Sequence, residues 1–220
     1  MNFFKASLSA LMGLLLVAAD PNVSTGVQTI QGYNNMTYTV VDMVFNLKIN
    51  ETFTVPVQGT IQDAFKQLSK YDPAQAAAIK ETIDSGFPAD GAPASFLSSA
   101  AQDDGCCTPT NYFCDLSDVA DCRDIAEGIK YLKTVTGTPV NNPGPGTCNR
   151  VSCSYDSAIY WCNDNPTTYV LDNFTLIADG AQQIMNDCTF QEVNNVCDDV
   201  LNGQQFFSGG WNVIVKGDSC

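Results

Sequence analysis

The sequence predicts an α+β protein, a disulfide-rich two-layer sandwich of helices on an antiparallel sheet preceded by a smaller cysteine-free α+β region. Three observations carry that expectation. All ten cysteines lie between Cys106 and Cys220, an even number at a density typical of a disulfide scaffold rather than of a metal site or a cytosolic thiol enzyme. Residues 27–57 alternate in polarity and are rich in β-branched and aromatic side chains, as half-buried strands are. After residue 118 the apolar spacing follows the order helix, strand, strand, helix, strand, which two packed layers accommodate.

From the N-terminus, residues 1–19 carry one charge, Lys5, then an apolar run over 8–18 that ends at the small residues Val17-Ala18-Ala19. The run is about half of the ~20 residues a membrane span needs, so the segment reads as a cleaved secretory signal peptide. In the region 20–85, Tyr38–Val41, Val44–Ile49 and Thr52–Val55 read as strands. Ile61, Ala64, Phe65 and Leu68 then recur at helical spacing behind Thr60, an N-cap with Asp63 as its capping-box partner. Pro73 opens a second helix that Gly86 ends. Residues 86–105, rich in Gly, Pro, Ala, Ser and Asp, read as a linker to the domain 106–220. The chain contains no adjacent pair of basic residues, which speaks against the first region being a processed pro-segment.

In the C-terminal domain, residues 119–133 form a helix with Cys122 on its inner face. Pro139, Pro143 and Pro145 make 134–146 a loop. Residues 150–155 and 157–162 read as antiparallel strands about a tight turn at Tyr155-Asp156. Residues 171–188 contain a second helix, with Ile177, Ala181, Ile184, Met185 and Cys188 on one face. A loop over 189–210 leads to a last strand over 211–216. All ten cysteines, Cys106, Cys107, Cys114, Cys122, Cys148, Cys153, Cys162, Cys188, Cys197 and Cys220, are expected in disulfides. Cys106 and Cys107, being neighbours, are expected to reach different partners, and spacing alone does not choose the remaining pairings.

The segment Cys148-Asn-Arg-Val-Ser-Cys-Ser-Tyr-Asp-Ser-Ala-Ile-Tyr-Trp-Cys-Asn-Asp-Asn165, with Ile177–Gln182, Gly203-Gln204 and Trp211–Cys220, resembles the secreted necrosis-inducing effector family of plant-associated fungi. More distantly it is similar to the virally encoded killer toxins of smut fungi. The resemblance covers residues 106–220 and implies a disulfide-dense helix-on-sheet sandwich whose final strand closes on a terminal cysteine. It also implies action on a host or competitor cell. The smut toxins are basic, whereas this domain carries 14 acidic residues against 5 basic ones, so attack on a channel mouth by a cationic surface does not carry over.

Composition narrows the chemistry further. The chain has 24 acidic and 10 basic residues, a net charge of −14, which disfavours nucleic acid and anionic membrane surfaces as partners. It has no histidine, which removes Ser-His-Asp and Cys-His nucleophile systems and histidine metal sites. Gly144-Pro-Gly146 precedes no helix and is no phosphate loop. Carboxylate pairs are the one catalytic device left. Asp115, Asp118, Asp121, Asp124 and Glu127 recur every third residue, but that spacing drifts around a helix instead of converging, and acids near a helix start favour its dipole. Asp103-Asp104 and Asp198-Asp199 are weaker pairs. Tyr160, Trp161 and Trp211 are candidate binding aromatics, although neighbours on a strand face opposite sides, so only one of Tyr160 and Trp161 can lie under the helices. Phe206-Phe207 beside Gly209-Gly210 reads as an apolar pair in a flexible loop. Asn22, Asn35, Asn50 and Asn173 open Asn-x-Ser/Thr glycosylation sequons.

These readings converge on a secreted, extracellular, monomeric protein without a membrane span, cofactor, metal or catalytic residues. It is expected to bind an as yet undefined protein or polysaccharide at a cell surface. The alternatives are a cell-wall carbohydrate binder or weak carboxylate hydrolase, and a structural fungal surface protein.

Overall fold

The computed structural model describes residues 27–84, 106–189, 197 and 200–220. The signal-peptide and linker readings, Asn22 and the two weaker acid pairs lie outside them. The chain runs through β1 (Thr29–Gln31), a 3-10 turn (Tyr33–Asn35), β2 (Thr37–Val41), β3 (Val44–Lys48), β4 (Thr54–Gln58), α1 (Ile61–Tyr71) and α2 (Pro73–Asp84). It resumes with β5 (Pro109–Cys114), β6 (Ala120–Asp121), α3 (Cys122–Thr134), β7 (Val140–Asn141), β8 (Thr147–Ser154), β9 (Ser157–Asn163) and β10 (Tyr169–Val170). The chain then forms α4 (Thr175–Cys188), β11 (Val200–Leu201), β12 (Gly203–Phe207) and β13 (Trp211–Gly217).

Local chemistry sets these elements. Thr60 starts α1 with the expected capping box, its backbone N–H donating to Asp63 Oδ2 at 3.1 Å. Asp121 caps α3 by accepting from the Arg123 N–H at 2.8 Å. Tyr155 and Asp156 both have positive φ, 45° and 59°, the combination that lets a two-residue turn follow the twist of the β8–β9 hairpin.

A seven-stranded sheet has the order β1-β2-β8-β9-β13-β12-β5. Two features differ from the sequence expectation. The sheet is mixed, because β2 runs parallel to β8, with Thr39 to Val41 opposite Thr147 to Asn149. A hairpin and three helices separate these two strands in the chain, so nothing obliges the chain to return antiparallel. The second feature is that β12 is a strand where loop was expected, and β5 a strand where the sequence assigned no element. β12 reads Gly-Gln-Gln-Phe-Phe, a poor strand by propensity, but Gln204 and Gln205 are both buried and hydrogen-bonded, and tertiary contacts override propensity. Phe206 and Phe207 are therefore strand residues.

The core lies between the sheet and the helices. Val151, Ile159, Trp161, Val213 and Val215 on one sheet face pack with Ile125, Ile129 and Leu132 of α3 and Ile177, Ala181 and Ile184 of α4. Phe45, Leu47, Val55 and Val57 of the β3–β4 hairpin and Ile61, Ala64 and Leu68 of α1 join the same cluster. Phe45 meets Phe174 edge-on with ring centroids 5.1 Å apart. The stretches on either side of 86–105 thus share one sheet and one core.

All ten cysteines are paired. Cys114–Cys188 ties β5 to the end of α4, Cys122–Cys197 holds the start of α3, Cys148–Cys162 crosses β8 and β9, and Cys153–Cys220 anchors the C-terminus to β8. Cys106 and Cys107 bridge each other, contrary to the expectation of separate partners. The other eight satisfy one another. The Cys106 carbonyl, meanwhile, is pinned over the β12–β13 turn by the Trp211 indole N–H and the Gly209 N–H, both at 2.8 Å.

The tightness of the α4–sheet contact is testable at Gly180, where an added Cβ would lie 2.7 Å from Val213 Cγ2 and 3.1 Å from Phe207 Cζ. Gly→Ala within a helix ordinarily gains about 1 kcal/mol, but overpacking costs about 1–3 kcal/mol. Gly180→Ala should therefore lower the unfolding free energy by up to about 2 kcal/mol in a denaturant titration.

Candidate functional site

The second face of the sheet carries the polar chemistry. Tyr38 on β2 and Gln204 on β12 are separated by β8, β9 and β13, a span of about 19 Å in a flat sheet at ~4.8 Å per strand. Yet Gln204 Nε2 donates to the Tyr38 hydroxyl at 3.0 Å. Only a strongly curled sheet allows this. The curl brings the 3-10 turn at Tyr33–Asn35 across to β12, where the Tyr33 N–H donates to Gln204 Oε1 at 2.7 Å.

Four side chains meet inside the curl. Gln204 Nε2 also donates to Asn212 Oδ1 at 2.9 Å, and Asn212 Nδ2 donates to Asp164 Oδ2 at 2.7 Å and to the Tyr38 hydroxyl at 3.2 Å. Burial raises the Asp164 pKa, against the lowering effect of hydrogen bonds from Asn212, Tyr38 and the Gly146 N–H. Burial, and then the Asp164 charge, push the Tyr38 phenol up to about 12. Further along the same face the Tyr160 hydroxyl hydrogen-bonds Asp218 Oδ2, which lies 3.5 Å from the Arg150 guanidinium. Burial again raises the phenol's pKa. Ile30, Ile214 and the Cys148–Cys162 bridge fill the space between the two polar groups.

Asn163, Asp164 and Asn165 hold three loops together at one end of this face. Asn163 Nδ2 donates to the Asn142 and Thr167 carbonyls, both at 2.8 Å. Asn165 Nδ2 donates to the Gly209 and Gly210 carbonyls, both at 2.9 Å. The sequence marked this run as part of a resemblance but not as a staple, because polar residues after a strand look like any turn.

The five candidate binding aromatics separate. Trp161 lies under the helices and Tyr160 on the opposite face, the division expected of strand neighbours, but Tyr160 is covered rather than displayed. Trp211 is fully buried, with Phe207 stacked on it at 3.9 Å and 4°. These four form no surface platform, and each is spent on packing. Phe206 differs. Half-buried on β12, it meets Phe113 of β5 edge-on at 6.0 Å, and Phe113 stacks on Tyr33 at 3.4 Å and 12°. Tyr33 and neighbouring Tyr112 are exposed, so an aromatic rim runs along the sheet edge. The sequence did not single out Tyr33 or Phe113. They meet Phe206 only because the sheet curls.

The acidic series does not converge either. Asp118 accepts from Lys216 Nζ at 3.1 Å, and that hydrogen bond and charge hold it below the usual carboxylate range. Asp121 is the α3 cap, while burial, then Asp121 and Glu127, raise Asp124. Among the described residues no three acids or cysteines are grouped to hold a metal ion. The apolar cleft between α1, α2 and α3, lined by Phe65, Ile79 and Tyr131, holds about 20 Å³, room for about one water. The sequon residues Asn35, Asn50 and Asn173 are all exposed. No helix among the described residues is long and apolar enough to cross a membrane. No protein-family model, curated protein or solved structure matches the chain.

Removing the Tyr38 hydroxyl leaves the Gln204 and Asn212 amides short of an acceptor inside the curl. Tyr38→Phe should cost about 1–3 kcal/mol in denaturant. A raised folded-state pKa means the folded protein holds its proton longer than the unfolded chain does. For Tyr38 that stability is complete below about pH 10 and lost as pH rises through about 12. For Asp164 it is complete below the ordinary carboxylate range and lost as pH rises through the raised pKa. Measured against pH, the wild-type denaturation midpoint should carry a fall as pH rises through the raised Asp164 pKa, and Asp164→Asn should lack that fall.

Proposed function

We propose that this is a secreted, non-enzymatic binding protein of the effector or killer-toxin kind, which engages a protein at a host or competitor cell surface. The observation that carries the reading is the aromatic rim of Tyr33, Phe113 and Phe206, half-exposed rings held on a rigid sheet edge. Rings of this sort supply contact area at low cost in conformational entropy and are enriched at binding hot spots. Five disulfides fit an oxidising, extracellular setting, and those bridging long loops typically stabilise by about 2–4 kcal/mol each. The helices on one face of the sheet are consistent with the two-layer sandwich that the resemblance implies. The acidic surface favours a partner with cationic patches.

The test is infiltration of purified oxidised protein into leaf tissue and spotting on competing fungi, beside a Tyr33→Ala/Phe113→Ala variant and a reduced, alkylated control. Cell death or growth arrest that the variant loses, while keeping its circular dichroism, is the expected result. Full activity of the reduced, unfolded chain sinks the proposal. Inactivity with retention on chitin or glucan replaces it with wall binding, for which the rim would serve as a sugar-stacking surface.

A further inference from the structure

We propose that the Cys106–Cys107 bond is a thiol-exchange site, opened by an external dithiol reductant while the other four disulfides stay closed. Access is the first argument. Both Cys106 and Cys107 are half-buried, whereas each other bond has at least one buried partner: Cys188, Cys122, Cys153, and both Cys148 and Cys162. Only at Cys106–Cys107 can either sulfur be attacked and either leave.

Linkage to the fold is the second argument. The other bonds close sequence separations of 74, 75, 14 and 67 residues, so the folded chain holds their sulfurs together and opening them forfeits loop closure. Cys106 and Cys107 are adjacent whether or not the chain is folded. Their bond constrains almost nothing in the unfolded ensemble, so opening it leaves the scaffold standing. Cys220 is exposed too, but its bond to buried Cys153 closes a long loop and anchors the C-terminus.

The exchange balances without a further reactant. One thiolate of the dithiol attacks Cys106 or Cys107, the other cysteine leaves as a thiolate and takes a proton, and a mixed disulfide remains. The second thiol of the reductant then attacks that mixed disulfide, yielding the cyclic oxidised reductant and two protein thiols. Two electrons pass to the protein. The bond that opens locks the peptide whose carbonyl grips the Trp211 indole and the Gly209 N–H, at the turn that follows Phe206. Reduction therefore loosens the turn beside the aromatic rim.

The native protein is treated with limiting dithiothreitol, quenched with N-ethylmaleimide and mapped by peptide mass. The expected result is labelling of Cys106 and Cys107 about tenfold ahead of every other cysteine, with unchanged far-ultraviolet circular dichroism. A Cys106→Ser/Cys107→Ser variant should lose the fast labelling phase and keep the slow one, with its thermal midpoint unchanged. Earlier opening of Cys153–Cys220, cooperative opening of all five bonds, or unfolding of the double variant overturns the proposal.

Discussion

The side chain of Gln204 closes the curl of the sheet. Its Oε1 accepts a hydrogen bond from the Tyr33 N–H and its Nε2 donates to Tyr38 and Asn212, so three distant segments meet on one residue. Buried amides without partners are expensive, which makes this arrangement nearly all-or-none. Gly32 shows how little room is left, since a Cβ there would lie 2.7 Å from Gln204 Oε1 and 2.8 Å from Tyr38. The position of Tyr33 against Phe113, and the enclosure of Tyr160 and the Cys148–Cys162 bridge, depend on that closure.

Two kinds of restraint hold the molecule, and they are distributed unevenly. Every disulfide joins residues from 106 onward. Residues 27–84 are held by the short parallel pairing of β2, by the Gln204 network and by packing of the β3–β4 hairpin and α1 into the helix-side core. The first set of restraints answers to reductant, the second to denaturant and alkali.

Where periodicity was the signal, the sequence was informative. The helical spacing behind Thr60, at Cys122 and at Ile177, and the β8–β9 hairpin about Tyr155-Asp156, appear as read, because each helix buries one apolar face, α1 and α3 carry their own caps, and the hairpin carries its own turn. Long-range pairing was illegible. β12 presents two glutamines whose suitability for a strand exists only once Tyr38, Asn212 and the Asn111 carbonyl surround them. β5 contains a proline and an asparagine and is mostly exposed, so its alternation carries no apolar signal. The candidate aromatics divide for a related reason. Large rings attract attention as binding residues, yet Trp161, Trp211 and Phe207 are the bulk that fills the helix-side core, while the rim depends on rings brought together from three places in the chain.

The partition of rings between the two faces has an optical corollary. Both tryptophans, Trp161 and Trp211, sit in the helix-side core, and the buried phenols Tyr38 and Tyr160 sit inside the curl. Indole emission and the delayed ionisation of these two phenols therefore view opposite sides of one sheet. The molecule carries two native spectroscopic labels, and a difference in the onset of the two signals would distinguish uncurling of the sheet from detachment of its helices.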